Sequence, residues 1–347
     1  MKNEPRKLLL TAISIATLAL PVVAVVSGCS SSEKAAKTEI VWPAPPEKAR
    51  IRFIRILSDR NSIEGGGSSF LDKLVGDSPR DALKKPFGIA VDRSGKVYVS
   101  DTEDGRVFVF DTKNSKLSFI GSSSAGSISM PLALAVDSTG QVYISDTRLK
   151  AVMVFDQSGS LIRTVGSQKE FQNPVGVAID NVRDRVYVVD SQLHQVKAFS
   201  LEGRYLFTIG KRGTGDGEFN FPTSVAVGKD SRIYVVDTMN ARVEVFDEEG
   251  KFVFTFGSLG MALGQFTRPK GIALDSEDNI YVVDAAFNNF QIFDKQGRLL
   301  LFIGSLGKEA GMFWLPAGIA IDQQDKIYIA DQLNRRIQIY QLIKGQE

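Results

Sequence analysis

The residue types that most often carry enzyme chemistry are scarce in this chain of 347 residues, which contains one histidine and one cysteine. Zinc sites, disulfides and covalently attached haem all need two or more such residues. These counts exclude multi-histidine metal sites, cysteine-based zinc clusters, internal disulfides and attached haem, and we predict no cofactor. The histidine, His194, follows Asp190 in a predicted loop, where we expect an exposed polar side chain.

Aspartates recur at one position, at the end of runs such as KVYVSD: Asp101, Asp146, Asp190, Asp237, Asp284 and Asp331. A ring of carboxylates could bind a cation. A single active site needs its residues once, however, so a residue present in every copy of a repeat is expected to be structural. We therefore predict that these aspartates form hydrogen bonds in turns and pair with the arginines that follow in three copies, Arg106, Arg242 and Arg336.

Two kinds of loop resemble ligand-binding motifs without meeting their requirements. The acidic turns 180–184 and 275–279 lack the alternating ligands and distal glutamate of a calcium loop, so we predict no metal there. The glycine-rich segments 213–222, 260–269 and 307–316 lack the Lys-Ser/Thr pair and following helix of a phosphate-binding loop. One phenylalanine in each segment is expected to pack between repeats: Phe219, Phe266 and Phe313.

The elements that must position these residues form six copies of one motif, beginning near residues 86, 131, 174, 222, 269 and 316. Successive copies are 45, 43, 48, 47 and 47 residues apart. Each of the first five contains four short apolar runs separated by turn residues, which in the first copy are PFGIAVD, KVYVSD, RVFVFD and LSFIG. Four strands at this period are typical of a propeller blade, so the predicted fold is all-β with six blades.

The sixth copy ends before a fourth strand can form, and residues 50–57 supply a matching run before the first copy. We predict that they pair with residues 336–342 and close the ring, which removes an exposed sheet edge. The propeller then spans residues 50–343, with an insertion at 58–85. In this insertion, segment 69–76 has its apolar residues on one helical face; such a helix would pack on the rim, or act as a lid or docking element.

The six copies resemble the NHL repeat, whose pattern P-x-G-I-A-x-D, Y-V-x-D and N-x-R-I-x-V-F recurs from Pro86 onward. The resemblance implies a six-bladed β-propeller. The sequence Trp42-Pro43-Ala44-Pro45-Pro46, before the closing strand, resembles exported bacterial NHL lipoproteins, which implies scaffolding or complex assembly in the cell envelope.

Residues 1–28 have the pattern of a secretory signal peptide, with basic residues before the 19-residue apolar run Leu8–Val26. The sequence Val26-Ser27-Gly28-Cys29 resembles the lipobox of bacterial lipoproteins, which implies that Cys29 is lipidated and becomes the mature N-terminus. An uncleaved membrane anchor is the alternative, since such a run can span a bilayer.

Cleavage leaves 39 basic and 39 acidic residues, and this zero net charge argues against nucleic-acid binding.

Residues 29–49 are small, polar and proline-rich, and we predict that after lipidated Cys29 they form a flexible tether. Ser30, next to the lipidated position, favours the outer membrane over the inner one by analogy with such lipoproteins. We thus expect an extracytoplasmic protein that is anchored to a membrane and has a monomeric propeller.

Residues beside the six prolines are the best site candidates, because first strands line the channel of a propeller and begin at one face. Most are apolar, and no carboxylate pair is present for general acid–base catalysis. We predict an aromatic and basic contact patch for a partner, with the candidate residues Phe221, Arg268, Lys270, Trp314, Lys85 and His194. The alternative is that these side chains only pack the loops.

These observations predict a non-catalytic, protein-binding module of the cell envelope. Two alternatives stay open. A calcium-dependent lactonase-like propeller would need Glu, Asp and Asn side chains facing the channel, whereas a binder of a glycan or anionic polymer would use Arg268 and Lys270.

Overall fold

The computed structural model describes residues 39–63, 81–121 and 127–344, which form six antiparallel sheets. Five sheets have four strands, joined in chain order, and one has five. The predicted signal peptide, Cys29 and the helix-like segment 69–76 lie outside the described residues. Within the described ranges, no helix is long and apolar enough to cross a membrane.

The first two strands of each repeat form the inner half of a sheet. The innermost strands are β3 (Pro86–Val91), β7 (Pro131–Val136), β11 (Pro174–Asp180), β15 (Pro222–Val227), β19 (Pro269–Leu274) and β23 (Pro316–Ile321). The second strands are β4 (Val97–Asp101), β8 (Val142–Asp146), β12 (Arg185–Asp190), β16 (Ile233–Asp237), β20 (Ile280–Asp284) and β24 (Lys326–Asp331). A 3-10 helix, Thr238–Asn240, follows β16.

The last two strands form the outer half. The third strands are β5 (Arg106–Asp111), β9 (Ala151–Phe155), β13 (Gln195–Ser200), β17 (Arg242–Phe246), β21 (Asn289–Phe293) and β25 (Arg336–Leu342). The fourth strands of blades one to five are β6 (Lys116–Ile120), β10 (Leu161–Val165), β14 (Tyr205–Ile209), β18 (Phe252–Phe256) and β22 (Leu299–Ile303). The N-terminal strands β1 (Val41–Trp42) and β2 (Ile51–Leu57) complete blade six.

Adjacent blades meet through their innermost strands, and the contact between β23 and β3 closes the ring. Glycine permits this close approach: an added Cβ at Gly88 or Gly318 would lie 2.2 Å from the carbonyl oxygen of Leu132 or Phe87 in the next blade. The predicted six-bladed propeller is therefore confirmed.

The core lies between the blades. Every residue of β4, β8, β16 and β20 is buried, because neighbouring sheets cover both faces of each blade. Hydrophobic side chains form one cluster between each pair of adjacent blades. This arrangement explains why the second strands are almost continuously apolar instead of alternating.

The ring is sealed by the N-terminal strand. β2 pairs antiparallel with β25, from Ile51 opposite Leu342 to Leu57 opposite Ile337. The predicted closure by residues 50–57 is confirmed.

The predicted flexible tether is wrong over its last residues, 39–49. β1 pairs with β2 as a fifth strand, and the Trp42 ring packs edge-on against Tyr340 with 5.6 Å between ring centroids. A strand of two residues is too short to show an alternating pattern, and the proline-rich residues after it have the composition of a linker. The segment is therefore predicted as a linker although it packs on the blade. Residues 29–38 lie outside the described residues.

The closure can be tested by comparing a buried and an exposed isoleucine of the closing strand β2. Ile51 is fully buried, whereas Ile54 is 39% exposed. Ile51→Ala is expected to lower the free energy of unfolding by about 2–5 kcal/mol, because it leaves a cavity beside blade six. Ile54→Ala should cost less than about 1 kcal/mol. Urea unfolding measures both, and equal losses would contradict the closure.

Candidate functional site

A buried aspartate ties each inter-blade loop to its blade. The carboxylate of Asp284, fully buried at the end of β20, accepts hydrogen bonds from the backbone N–H groups of Thr267 at 2.7 Å, Ala286 at 2.9 Å and Phe287 at 3.1 Å. The same contacts recur at Asp101, Asp146 and Asp190. The hydrogen bonds confirm the predicted structural role of these carboxylates.

Arginines clamp the loops before blades four and six. Arg242 lies 3.0 Å from Asp237, and Arg336 lies 2.7 Å from Asp331, as predicted. The Nη2 atom of each arginine also donates to two backbone carbonyls of the preceding loop. In blade one, Arg106 forms an ion pair with Asp104 in the turn before β5.

The loops before blades four, five and six (segments 210–221, 257–268 and 304–315) share one conformation. In the loop before blade five, the N–H of Phe266 donates to Ser258 O at 2.9 Å, and the N–H of Gly260 donates to Phe266 O at 3.1 Å; the other two loops repeat this pair. Each loop is anchored by a phenylalanine with no exposed surface: Phe219, Phe266 and Phe313. The predicted packing of these rings is confirmed, and the loops are internally braced.

These loops expose large apolar side chains on one face. First strands begin and second strands end on this face, so it carries the inter-blade loops and the turns after second strands. We call the exposed set in blades four to six the apolar rim: Phe221, Met239, Leu259, Met261, Leu263, Leu306, Met312, Trp314 and Leu333. Their exposed fractions range from 37% at Met312 to 87% at Met261.

Exposed charges in the same loops and turns are mostly basic. The basic residues are Lys211, Arg212, Arg268, Lys308 and Arg335, and the acidic ones are Asp216 and Glu309. The charged side chains around the rim are therefore mostly basic, although the mature chain is predicted to have no net charge.

The central channel opens on the same face. Its cavity of about 130 Å³ is lined by the innermost strands of all six blades. Lys270 lies at the mouth, and its Nζ is 5.4 Å from the ring centroid of Phe87 in blade one. Burial, followed by the charges of Arg268 and Lys85, lowers the pKa of Lys270 to about 8. The structure thus brings together the three charged residues of the predicted patch.

The channel lining does not fit a calcium ion. Calcium takes six to eight oxygen ligands, mostly carboxylates and carbonyls. No carboxylate or carboxamide side chain lines this cavity, and Lys270 contributes a positive charge. Among the described residues, no group of three or more His, Cys, Asp or Glu side chains is placed to hold a metal ion.

The prediction that His194 is exposed is wrong, because its side chain is 6% exposed. Its Nδ1 accepts a hydrogen bond from the backbone N–H of Phe221 at 3.1 Å, and the two rings lie 4.5 Å apart between centroids. Asn288, at the same position of blade five, accepts from the N–H of Leu315 at 2.8 Å. Phe221 and Leu315 both have left-handed backbones, with φ of 50° and 55°, which is costly for bulky residues. His194 therefore supports a rim residue from beneath.

Phe221 and Trp314, two residues of the predicted patch, are each 44% exposed and belong to the rim. Sequence reasoning missed most of the rim, because the glycine-rich loops were interpreted as turns. A signal was present: Leu259, Met261 and Leu263 alternate with small residues in a loop whose turn geometry needs no apolar side chain.

A buried carboxyl group lies beneath the loop before blade four. Glu244, fully buried in β17, occupies the position of Gln291 in blade five. There the glutamine accepts the N–H of Gly264 at 2.9 Å and donates to Gln265 O at 2.8 Å. Burial raises the pKa of Glu244 to about 7, although Arg242 Nη2 lies 2.8 Å from its Oε1.

Comparison with known families agrees with this architecture. The 6-bladed beta-propeller family matches residues 170–231, 225–290 and 276–346, and the NHL repeat matches residues 83–110. The chain belongs to the 6-bladed beta-propeller family, and the NHL resemblance is confirmed. No protein of curated function matches the chain in sequence.

Solved structures with the same fold include proteins of different kinds. A protein of unknown function from Bacteroides thetaiotaomicron is 18% identical with a TM-score of 0.62, over 85% of this chain and 76% of that one. A gluconolactonase from Xanthomonas campestris is 16% identical (TM-score 0.59, 75% and 87% covered). A virginiamycin B lyase from Staphylococcus aureus is 14% identical (TM-score 0.55, 83% and 99% covered). At these identities the likeness shows the fold alone.

The support of Phe221 by His194 can be tested by two substitutions. His194→Ala removes the acceptor of the Phe221 N–H and should lower the free energy of unfolding by about 1–3 kcal/mol. His194→Asn should cost less, because Asn288 makes the equivalent bond in blade five. Urea unfolding measures both losses; an Asn variant as unstable as the Ala variant would show that this hydrogen bond has no such role.

Glu244 should make stability depend on pH. Its pKa is 4.5 when unfolded and about 7 when folded, so between these values the folded state holds a proton that the unfolded state has released. The free energy of unfolding should therefore fall by about 3 kcal/mol as pH rises through this window. Glu244→Gln should flatten the dependence, and Glu249→Gln, an exposed change in the same blade, should not. Parallel curves for wild type and Glu244→Gln, from urea unfolding at several pH values, would refute the effect.

Proposed function

We propose that this chain is an exported, lipid-anchored propeller that binds a protein partner through its apolar rim and catalyses no reaction. The observation that carries the proposal is the rim itself, in which nine large apolar side chains are exposed on one face of three consecutive blades. Apolar side chains grouped in this way at a surface mark an interaction site.

The braced loops favour binding without rearrangement. Their backbones are hydrogen-bonded internally, and a buried phenylalanine anchors each one. Ordering of loops on association costs affinity, and loops already fixed avoid most of that cost. Methionine, tryptophan and phenylalanine are also enriched at the centres of protein interfaces.

The surrounding charges indicate the chemistry of the partner. Five exposed basic residues and two exposed acidic residues lie in the loops and turns of the rim face. Complementary charge speeds association and excludes wrong partners. We therefore infer a partner segment that carries both apolar and acidic side chains.

The proposed anchor would hold the propeller at a membrane. Lipidation of Cys29 would attach the chain, and Ser30 favours the outer membrane. Tethering raises the concentration of the propeller around partners in the same membrane. A scaffolding role in the cell envelope fits this arrangement.

A catalytic role has less support. The lyase and the gluconolactonase share the fold with this chain, but a fold does not fix a function. The channel lining offers Lys270 as its one ionisable side chain, without a carboxylate or an accessible histidine beside it to act as a second acid–base group.

The test compares two exposed apolar positions of the rim with one on the opposite face. Crosslinking in intact cells identifies the partner, and its affinity for purified full-length variants is then measured. Leu259→Ser combined with Leu306→Ser should weaken binding about tenfold or more, because two rim contacts are lost. Val182→Ser, at a side chain 74% exposed on the opposite face, should leave affinity unchanged.

Equal affinity of the rim variant and wild type would contradict the proposal. Salt-sensitive binding of an anionic polymer that survives the rim change, but is lost in Arg268→Ala with Lys270→Ala, would favour the alternative of a polymer binder.

A further inference from the structure

The mouth of the central channel carries positive side chains that form no ion pair with any described residue. Among the described residues, no carboxylate lies within ion-pair distance of Lys85, Arg268 or Lys270, although other basic residues such as Lys84 and Arg336 have such partners. The three charges are close enough that Arg268 and Lys85 both contribute to lowering the pKa of Lys270. Mutually repelling cations are costly unless an anion joins them.

Lys270 reaches across a neighbouring blade. It is the second residue of β19 in blade five, and its ammonium lies against the Phe87 ring of blade one. The equivalent residue in the intervening blade six is Ala317, whose small side chain leaves room for this path. The ammonium is thus held at the mouth by a cation–π contact and stays available to a further acceptor.

The cavity beneath the mouth limits what can enter. It measures about 130 Å³, whereas pockets for whole small ligands measure about 300–1,000 Å³. The side chains that line it are mostly apolar, among them Ile89, Leu134, Val177 and Ile272. The hydroxyl of Thr223 is already bonded to Thr238 Oγ1 and Lys270 O. The site therefore suits one short group with a single negative charge.

We propose that the channel mouth binds a carboxylate group of the partner, held by Lys270 with Arg268 and Lys85 beside it. This inference rests on the proposed function, since the mouth opens on the face that carries the rim. Charge-assisted hydrogen bonds from an ammonium to a carboxylate are among the stronger ones, and apolar surroundings strengthen them. Of the three cations only Lys270 lines the cavity, so a carboxylate matches the charge inside it, whereas a phosphate would bring a second negative charge. The carboxylate is either an acidic side chain or the C-terminus of the partner.

The test titrates small probes into the full chain by calorimetry. N-acetyl-phenylalanine presents a terminal carboxylate, N-acetyl-glutamic acid α-amide presents a side-chain carboxylate, and N-acetyl-phenylalanine amide is the neutral control. At least one carboxylate probe should bind and the amide should not; the probe that binds more tightly identifies the source. Affinity should fall as pH rises past 8, when Lys270, which faces Arg268 and Lys85, loses its proton.

Matched variants locate the binding. Lys270→Met should weaken carboxylate binding about tenfold or more, whereas Lys295→Met, an exposed change on the opposite face of the same blade, should not alter it. Equal effects of the two variants, equal binding of the amide, or binding of inorganic phosphate without any carboxylate would overturn the proposal.

The two proposals fail separately. If the carboxylate probes do not bind but the partner still requires the rim, this inference alone is wrong. If the probes bind at Lys270 but the rim variant keeps full partner affinity, the proposed function is wrong and the anion site stands.

Discussion

Burial of a carboxylate at the end of every second strand is the constraint on which the rest of the structure depends. A buried carboxylate is costly unless its oxygens are hydrogen-bonded. Here backbone N–H groups of the inter-blade loop and of the following turn supply those bonds, as around Asp284. Each inter-blade loop must therefore meet the turn of its own blade, which fixes both the start of the innermost strand and the face on which the loops lie. The same contacts that order the ring thus position the candidate site.

The candidate functional residues lie at positions where the six repeats differ from one another. One braced loop conformation exposes charged side chains before blade four, such as Arg212, and apolar ones before blades five and six, such as Leu259 and Leu306. At the channel mouth, Lys270 stands where blade six has Ala317. A rigid, repeated backbone can carry such substitutions with little effect on folding, because the side chains concerned do not contribute to the clusters between blades. The rim and the cationic mouth are consequently two features of one face.

Repetition made much of the fold predictable. One proline at the start of each of the six copies, and the apolar runs that follow it, predicted the blades. The run at residues 50–57, which resembles the fourth strand that the last copy lacks, predicted the closure. The start of all first strands at one face also predicted that Lys85, Arg268 and Lys270 share that face. Two errors have physical causes: burial of His194 depends on Phe221, 27 residues away in the next blade, and β1 is too short to show periodicity. The rim was missed because the exposure of a loop side chain depends on tertiary position and not on local composition.

Contact between the rim and the partner can be observed directly through methionine methyl groups. Met239, Met261 and Met312 lie in the rim, whereas Met153 is 5% exposed in blade two. In NMR spectra of the full chain labelled at its methionine methyls, addition of the purified partner should shift or broaden the three rim signals and leave the Met153 signal in place. Rim signals that stay unchanged at saturating partner would contradict binding at this face.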